Sequence, residues 1–242
     1  MKTASIIIIG NEILSGRTQD TNSNYLAKML VERGISLQEV RVIPDDHSII
    51  KTVVINEASL KDYVFTSGGI GPTHDDITAE AIASCFDVPL LVRDDAIELL
   101  ARNYKNGRKD LNAARLRMAR IPEGANLIKN KISGAPGFII KNVYVMAGVP
   151  QIFEAMVQEI ILDLGSVNPI LSKTIKVFKK ESEISDKLGH YANRYKDISI
   201  GSYPFNNSGV FGVEIVIRHT DRILLNKVFK EILLDFNEPN TS

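Results

Sequence analysis

Two hydrophobic patterns alternate along the first two thirds of the chain. Residues 5–10 (SIIIIG) form a continuous β-branched run, which is typical of a strand that a parallel sheet buries on both faces. The apolar residues that follow recur with a helical period and share one helix face: Tyr25, Leu26, Met29 and Leu30. Thr21 or Asn22 can cap this helix, and Gly34 ends it. The pattern therefore predicts a buried strand followed by an amphipathic helix.

The same alternation continues towards residue 165. Further strands are predicted at residues 37–43, 63–65, 138–141 and 143–147, the last two as a pair hinged at Lys141 and Asn142. Further helices are predicted at residues 47–60, 77–86, 94–104, 110–120 and 151–164. Strands that alternate with helices indicate an α/β fold, here a three-layer, mostly parallel sheet.

The remainder of the chain has a different pattern. Glycine, serine, asparagine and proline crowd residues 165–169, which is typical of a linker. The elements predicted beyond it are strand, helix, strand, strand and helix, at residues 172–178, 183–195, 198–202, 210–219 and 222–236. We therefore predict two domains, residues 1–165 and a small α+β domain of residues 170–242, with a polar, frayed tail at residues 237–242.

The loop after the strand at residues 63–65 has the richest candidate chemistry, with the sequence GGIGPTHDDIT from residue 68 to residue 78. Glycines let a ligand approach the main chain, and N–H groups at a helix start attract anions. Asp75 and Asp76 supply carboxylates, which hard divalent cations prefer. Because ligands bind beyond the carboxyl ends of parallel strands, we expect the other strand ends to join this loop: Gly10, Asn11, Glu12, Asp45 and Gly148.

Composition narrows the class of protein. Lys and Arg together number 29, as do Asp and Glu, so no basic field indicates nucleic-acid binding. No stretch approaches the roughly 20 apolar residues of a membrane span, and the amino terminus lacks a signal-peptide pattern. Cys85 is a single cysteine in an apolar pattern, which fits a reducing compartment and predicts a buried, inert thiol. We expect a cytoplasmic protein that binds neither nucleic acid nor membrane.

Several polar residues allow two interpretations. The cationic part of the predicted helix 110–120, with the residue before it, can reach a phosphate or form a solvated helix face: Lys109, Arg115, Arg117 and Arg120. Asp75 can bind metal or cap the following helix, and Asp76 can serve the helix dipole alone. Asp45 can be a turn residue only. We expect His74 to be a solvated loop residue.

The loop at residues 68–78 resembles the molybdopterin-binding family of MogA and MoaB, and within it the amino-terminal domain of the competence-damage protein CinA. Shorter matches follow in family order at residues 10–16, 20–24, 43–46, 122–125, 135–138 and 148–150. Residues 202–204 and 212–214 resemble the small second domain of that branch. The chain ends where CinA continues into an amidohydrolase domain, so we expect no nicotinamide mononucleotide deamidase activity. The Pro-Gly-Pro-Pro turn usual in CinA is Ala-Gly-Val-Pro at residues 147–150.

The resemblance implies a small-molecule ligand, either a nucleotide or a pterin phosphate. Our main expectation is a metal-dependent pyrophosphatase that hydrolyses a dinucleotide of the ADP-ribose or FAD type. The first alternative is molybdopterin binding or adenylyl transfer in molybdenum cofactor biosynthesis, and the second is a binding module without catalysis. The resemblance also implies a divalent metal (cobalt, magnesium or manganese) with potassium, and a homo-oligomer, with a dimer favoured.

The resemblance assigns roles to particular residues. Asp76 and Asp45 would bind the metal, and Asp76, Asp75 and Glu12 would act in catalysis. The remaining candidates would bind the substrate through backbone N–H groups and hydroxyls: Gly10, Asn11, Gly68, Gly69, Gly71, Thr73, Thr78 and Gly148. Such groups can hold the oxygens of a pyrophosphate, whose dense charge must be neutralised before phosphorus is attacked.

Overall fold

The computed structural model describes residues 2–165, 168–207 and 209–237. Its contacts divide the chain into two compact units, Met1–Val167 and Asn168–Ser242, which we call unit 1 and unit 2. Part of the predicted linker, residues 166–167, lies outside the described residues, and so do residues 238–242 of the predicted tail. None of the described helices is long and apolar enough to cross a membrane.

Unit 1 is built on a six-stranded sheet with the order β2-β1-β3-β8-β7-β6. The strands of unit 1 are β1 (Lys2–Ile9), β2 (Ile35–Ile43), β3 (Tyr63–Ser67), β4 (Leu90–Val92), β5 (Arg120–Pro122), β6 (Asn126–Ile128), β7 (Gly137–Ile140) and β8 (Val143–Met146). Neighbours among β2, β1, β3 and β8 pair in parallel, whereas β7 pairs antiparallel with both β8 and β6. β4 and β5 form a separate antiparallel pair. The mostly parallel sheet is as predicted.

Helices cover both faces of this sheet. The helices of unit 1 are α1 (Asn11–Leu14), α2 (Asn22–Glu32), α3 (His47–Leu60), α4 (Thr78–Cys85), α5 (Asp94–Ala101), α6 (Ala113–Arg117) and α7 (Pro150–Ile160). Ile7 and Ile9 of β1 lie in one core with residues of α3 and α4. Ile6 and Ile8 lie in a second core with residues of α2 and α7. Because successive strand residues point to opposite faces, the apolar run of β1 supports both cores, and the three-layer prediction is confirmed.

The prediction of one helix over residues 110–120 is wrong. A turn of 3₁₀ helix covers Gly107–Asp110, and α6 is a separate helix of five residues. The Asn112 side chain accepts a hydrogen bond from the Arg115 amide and so starts α6 anew. Arg120 already belongs to β5, where it pairs with Val92. The short elements α1, β4, β5 and β6 were not predicted, because three or four residues are too few to show a period.

Unit 2 has the predicted order of strand, helix, two strands and helix. Its elements are β9 (Leu171–Val177), α8 (Glu181–Arg194), β10 (Ser199–Asn207), β11 (Val210–His219) and α9 (Arg222–Asn237). The strands form an antiparallel sheet with the order β10-β11-β9. Ile215 of β11 is buried with Ile184 of α8 and Val228 of α9 in the core of this unit. The small α+β domain is therefore confirmed as a fold.

Candidate functional site

One edge of the unit 1 sheet brings together the ends of four strands. β1, β2, β3 and β8 are parallel, so the loops that follow them leave the sheet at the same edge. A cavity of about 390 Å³ lies there, within the usual range for small-molecule sites. Its wall includes most of the predicted candidates: Glu12, Asp45, Gly68, Gly69, Gly71, Asp75, Asp76 and Gly148. We call it the main cavity.

The loop after β3 depends on glycine at its first two positions. Gly68 has φ +112°, and a Cβ there would lie 2.1 Å from the carbonyl oxygen of Ile9. Gly69 has φ +69°, and a Cβ there would lie 2.1 Å from the Thr78 hydroxyl oxygen. L-residues with a side chain avoid such positive φ values. The loop therefore packs closely against the end of β1 and the start of α4, which a larger residue would prevent.

Asn22 ties the β3 loop to the β8 loop. Its buried side-chain amide donates to the Ser67 hydroxyl at 2.8 Å and to the Gly148 carbonyl at 2.8 Å. A Cβ on Gly148 would lie 3.2 Å from the Cα of Gly68, so the two turns nearly touch. The first residue of α2 thus holds together the two glycine-bearing turns that line the main cavity.

The carboxylates of Asp45 and Asp76 also shape the site. Asp45 accepts a hydrogen bond from the Asn11 amide at 2.9 Å, which joins the β2 loop to the β1 loop. Asp76 accepts one from the Thr73 amide at 2.7 Å and another from the Thr73 hydroxyl. Neither residue caps a helix: the cap of α3 is Asp46, and no side chain caps α4. Asp45 and Asp76 therefore both bind loop backbone and line the main cavity.

Many backbone N–H groups of the candidate residues already have a protein acceptor. Gly68 donates to the Met146 carbonyl at 3.0 Å, and Gly10 donates to the Ile43 carbonyl at 3.1 Å. The amides of Asn11, Thr73 and Thr78 are also engaged. Within the described part of the chain, the amides of Gly69, Ile70, Gly71 and Gly148 have no hydrogen-bond acceptor. Because unpaired N–H groups can donate to a ligand, these four amides of the two glycine-bearing turns are available as donors in the cavity wall.

Four of the substrate-binding candidates do not line the main cavity: Gly10, Asn11, Thr73 and Thr78. The amides of Asn11 and Thr73 bind Asp45 and Asp76, so both residues support the lining carboxylates. Thr78 is fully buried against Gly69, and its hydroxyl has no hydrogen-bond partner among the described residues. These residues hold the loop in place behind the cavity wall.

The charged side chains described in the wall of the main cavity are all acidic. Four carboxylates belong to its wall, those of Glu12, Asp45, Asp75 and Asp76, and the described lining residues include no lysine or arginine. A phosphate entering this cavity would meet negative charge as well as the amide donors. A cation between the carboxylates and the phosphate would remove that repulsion.

The donor set fits a divalent cation that is shared with a ligand. Carboxylate oxygens are the ligands that Mg²⁺ and Mn²⁺ prefer. Among the described residues, no three His, Cys, Asp or Glu side chains converge as a metal centre. Magnesium commonly binds one or two carboxylates and completes its coordination with water and phosphate oxygens. Asp45 and Asp76 would supply such carboxylates in the main cavity.

Asp75 differs from Asp76 in its surroundings. Hydrogen bonding to the Thr73 hydroxyl lowers the pKa of Asp75, and the charges of His74 and Arg117 lower it further. The Thr73 hydroxyl has one proton, which lies on Asp76 in this structure, so it can serve Asp75 only in exchange for Asp76. The His74 side chain is 99% exposed, as expected for a solvated loop residue. Asp75 thus remains ionised well below neutral pH.

Cys85 in α4 is half-buried, and its side chain is a free thiol. Burial raises the pKa of its thiol to about 11, so it is protonated at neutral pH. A protonated thiol is a poor nucleophile, which agrees with the inert role expected from the sequence.

Part of the lining of the main cavity was not predicted from the sequence. Met118, Asn130, Ser133 and Ala135 line it. The Asn130 side chain donates to the Ser133 hydroxyl at 2.6 Å and accepts from the Ile132 amide at 2.9 Å. These bonds fix the turn after β6. A polar Asn in a turn is an ordinary sequence feature, so it gave no signal of its own.

Comparison with known proteins is informative for both units. Residues 5–171 match the family described as "Probable molybdopterin binding domain". Residues 169–240 match the family described as "FAD synthase, middle domain". A solved structure of CinA from Thermoplasma acidophilum, described as having unknown function, is similar with a TM-score of 0.62 and 36% identity. That similarity covers 67% of this chain and 97% of the other.

Relatives of similar and of greater length occur. A protein of Archaeoglobus fulgidus is 36% identical over 95% of this chain and 97% of its own length. A CinA-like protein of Sulfurihydrogenibium is 34% identical over 86% of this chain, but over only 52% of its own length. A CinA-like protein of Trichodesmium erythraeum is 30% identical over 93% of this chain and 55% of its own. The chain therefore matches about half the length of these CinA-like relatives.

Proposed function

The chain belongs to the family of molybdopterin-binding domains, and from this premise we propose that unit 1 binds a phosphorylated pterin or nucleotide in the main cavity. The observation that carries the proposal is the pairing of unengaged amides with carboxylates in one wall. A phosphate of the ligand accepts hydrogen bonds from the amides of Gly69, Ile70 and Gly71. The organic part of the ligand packs against the apolar side chains of the cavity, Met118, Val149 and Ile152.

A divalent cation held by Asp45 and Asp76 would neutralise phosphate charge and polarise the phosphorus centre. The residues of the chain supply the rest. Thr73 orients the Asp76 carboxylate through two hydrogen bonds, and Asn11 orients that of Asp45. Asn22 keeps Gly148 beside Gly68, which holds both turns against the ligand. Glu12 and Asp75 are left to accept a proton from an attacking water or hydroxyl.

The substitution Asp76→Asn tests this proposal. The Asn side chain keeps an oxygen that accepts the Thr73 hydrogen bonds, so the loop stays folded, but the negative charge is lost. We expect affinity for a phosphorylated ligand such as AMP to fall about tenfold to hundredfold in magnesium buffer. Calorimetric titration measures it. In magnesium-free buffer the variant should bind at least as tightly as the wild type, because the carboxylate that repels the phosphate is gone.

Asp163→Asn is the matched control, because Asp163 is exposed and does not line the main cavity. It should bind the ligand like the wild type with and without magnesium. If Asp76→Asn also binds like the wild type in magnesium, then Asp76 holds no cation and the proposed role fails.

A second candidate function is metal-dependent hydrolysis of a dinucleotide pyrophosphate of the ADP-ribose or FAD type. The match of residues 169–240 to the middle domain of FAD synthase favours it, since that match concerns a protein of nucleotide chemistry. Purified protein incubated with ADP-ribose or FAD, potassium, and cobalt, magnesium or manganese should release AMP. Release of AMP by the wild type but not by Asp76→Asn supports hydrolysis. Binding without release in every metal supports the family's binding role, or adenylyl transfer to a pterin.

Three expectations about the whole protein remain predictions: the divalent metal with potassium, the cytoplasmic location and the homo-oligomer. Analytical ultracentrifugation would test the last, with a dimer near twice the chain mass of 26.8 kDa as the expected species.

A further inference from the structure

Two arginines lie behind the glycine loop, outside the main cavity. Arg117 ends α6 and Arg120 begins β5, and both are partly buried. They line a second, narrow cavity together with Gly71, Asp76 and Met118, which also belong to the main cavity. Ile70 lines both cavities as well, so the two cavities share one wall, which carries the arginines on its far side.

The described residues give these two guanidinium groups few hydrogen-bond acceptors and no close carboxylate to balance their charge. Arg117 donates to the backbone carbonyl of Asp76 at 3.3 Å. The Nε atoms of Arg117 and Arg120 are buried, and neither has a hydrogen-bond partner among the described residues. Within those residues, neither arginine has a carboxylate within ion-pair distance. The acidic groups that face Arg120 are Asp76 and Glu80, which act on it only through longer-range attraction.

Other arginines near them in the chain are engaged within the protein. Arg108 pairs with Glu98 at 2.6 Å and with Asp94 at 3.2 Å. Arg115 lies over the Tyr104 ring at 4.3 Å and donates to the Asp110 carbonyl. The cationic segment recognised in the sequence thus divides into a structural part and a pair with unused donors.

The positive charges of Arg117 and Arg120 also repel each other. Burial and the charge of Arg117 both lower the pKa of Arg120. Two cations held close together in a partly desolvated position cost free energy unless an anion compensates them. Guanidinium groups bind phosphate oxygens in a two-pronged geometry, with short charge-assisted hydrogen bonds.

We propose that Arg117 and Arg120 form a subsite for a second phosphate of the ligand, next to the amides that hold the first. The inference rests on the proposed function, because it requires a ligand in the main cavity. The narrow cavity measures only about 10 Å³, so the second phosphate rests at its mouth beside Gly71 and does not enter it. The pair then selects ligands with a diphosphate over ligands with a single phosphate, and balances the acidic wall of the main cavity.

The test compares ADP-ribose, which has two phosphates, with AMP, which has one. Arg117→Gln and Arg120→Gln are titrated calorimetrically with each probe in magnesium buffer. Each variant should lose about tenfold to hundredfold affinity for ADP-ribose, the effect of a lost charged hydrogen bond, and less than about twofold for AMP. Arg120→Lys keeps the charge without the two-pronged geometry, and should fall between the wild type and Arg120→Gln.

Lys109→Gln is the matched control. It removes one positive charge from the same segment at an exposed position that lines neither cavity. It should bind both probes like the wild type. Thermal unfolding of every variant checks the fold. If Arg120→Gln does not fold, the wild type should still be stabilised more by inorganic pyrophosphate than by orthophosphate, and equal stabilisation contradicts the inference.

The outcomes separate the inference from the function it rests on. If the wild type binds neither ADP-ribose nor AMP, nucleotide binding in the main cavity fails and the subsite fails with it. If the wild type binds ADP-ribose and both glutamine variants bind it equally well, the subsite alone is contradicted. Equal weakening for ADP-ribose and AMP also contradicts it, because that pattern indicates a general loss of positive charge near the site.

Discussion

Unit 1 and unit 2 both pack helices against a sheet, yet only the strand direction of unit 1 collects loops at one place. In unit 1 four parallel strands end at the same edge, and their loops form the main cavity. In unit 2 all neighbouring strands are antiparallel, so their ends alternate between two edges. Both units expose some large apolar side chains, such as Leu60 in unit 1 and Phe211 in unit 2, so exposed apolar content does not distinguish them. Strand direction, more than apolar content, decides where a ligand loop can form.

Strand direction also explains why the unit 1 site offers backbone N–H groups to a ligand. A parallel strand that ends at a glycine turn leaves amides without ladder partners. Gly69, Ile70 and Gly71 follow the last residue of β3 by a few positions and keep unengaged N–H groups in the described structure. In unit 2, β10 pairs with β11 along its length. Substitutions should therefore affect ligand binding in unit 1 and mainly stability in unit 2.

The largest effect on ligand binding is expected for Gly69→Ala. A Cβ at φ +69°, 2.1 Å from the Thr78 hydroxyl oxygen, forces the loop to move. We expect unfolding to become easier by about 1–3 kcal/mol, and affinity for AMP to fall more than about hundredfold, because the amide donors are displaced. Chemical unfolding and calorimetric titration measure the two quantities.

Gly209→Ala in unit 2 is the matched control. Gly209 also has a positive φ, +90°, but a Cβ there meets nothing within 4 Å. It should cost about 1–2 kcal/mol of stability without any change in AMP affinity. Equal loss of affinity in both variants would mean that binding follows general stability and not the geometry of the β3 loop.

The next largest effect on ligand binding is expected for Asn22→Ala. The change removes the two hydrogen bonds through which Asn22 joins Ser67 to Gly148, and leaves the buried Ser67 hydroxyl without its donor, whereas water can reach the carbonyl of the exposed Gly148. The expected cost is about 1–3 kcal/mol of stability, with about tenfold weaker AMP binding because the two turns separate. Tyr195→Phe in unit 2 is the comparison, since it removes the 2.7 Å hydrogen bond to Glu231 on a partly buried surface. It should cost at most about 1 kcal/mol and leave binding unchanged.

A smaller effect, on stability alone, is expected for Asp62→Asn, at the opposite end of the unit 1 strands. The ammonium of Lys2 and the amide of Thr3 bind the Asp62 carboxylate and lower its pKa to about 2. A folded-state pKa below the ordinary value contributes stability above the ordinary pKa, and that contribution is lost as the pH falls towards the folded value. The wild type should therefore exceed the variant in stability at neutral pH, and the gap should close between about pH 4 and about pH 2. Urea unfolding across this range measures the gap, and a gap independent of pH would contradict the assignment.

The smallest effect is expected for Phe211→Ser in unit 2. The Phe211 side chain is 58% exposed, so its loss should change the free energy of unfolding by less than about 0.5 kcal/mol. AMP affinity should not change. A large loss of stability would show that Phe211 is covered in solution, and would weaken the contrast drawn between the two units.

Long regular patterns made most of the fold predictable from the sequence. α3 was predicted at residues 47–60 and the structure has it at His47–Leu60, because its apolar period runs without interruption from the Asp46 cap. The pair of β7 and β8 was predicted with its hinge, and Lys141 there adopts φ +51°. The region between α5 and β6 was not predicted well, because its elements are short and are held by tertiary pairing, as Arg120 is held by Val92.

The site was predictable where residues with suitable side chains directly follow a predicted strand. Glycines and carboxylates at strand ends identified one wall, including Asp45 and Gly148, which lie far from the β3 loop in the sequence. Two features of the site could be recognised only from the structure. The amide of Gly68 is occupied by Met146 while that of Gly69 is not, which depends on strand register. The position of Arg117 behind Asp76 depends on the break between α6 and β5.

The most direct test of the account follows the backbone amide resonances of the protein by NMR during titration with ADP-ribose and magnesium. We predict the largest shifts at the amides of Gly69, Ile70 and Gly71, with a smaller shift at Gly68, whose N–H already donates to the Met146 carbonyl. Saturable shifts centred on β10 and β11 of unit 2, with the three loop amides unmoved, would contradict the central claim that the loop after β3 holds the phosphate.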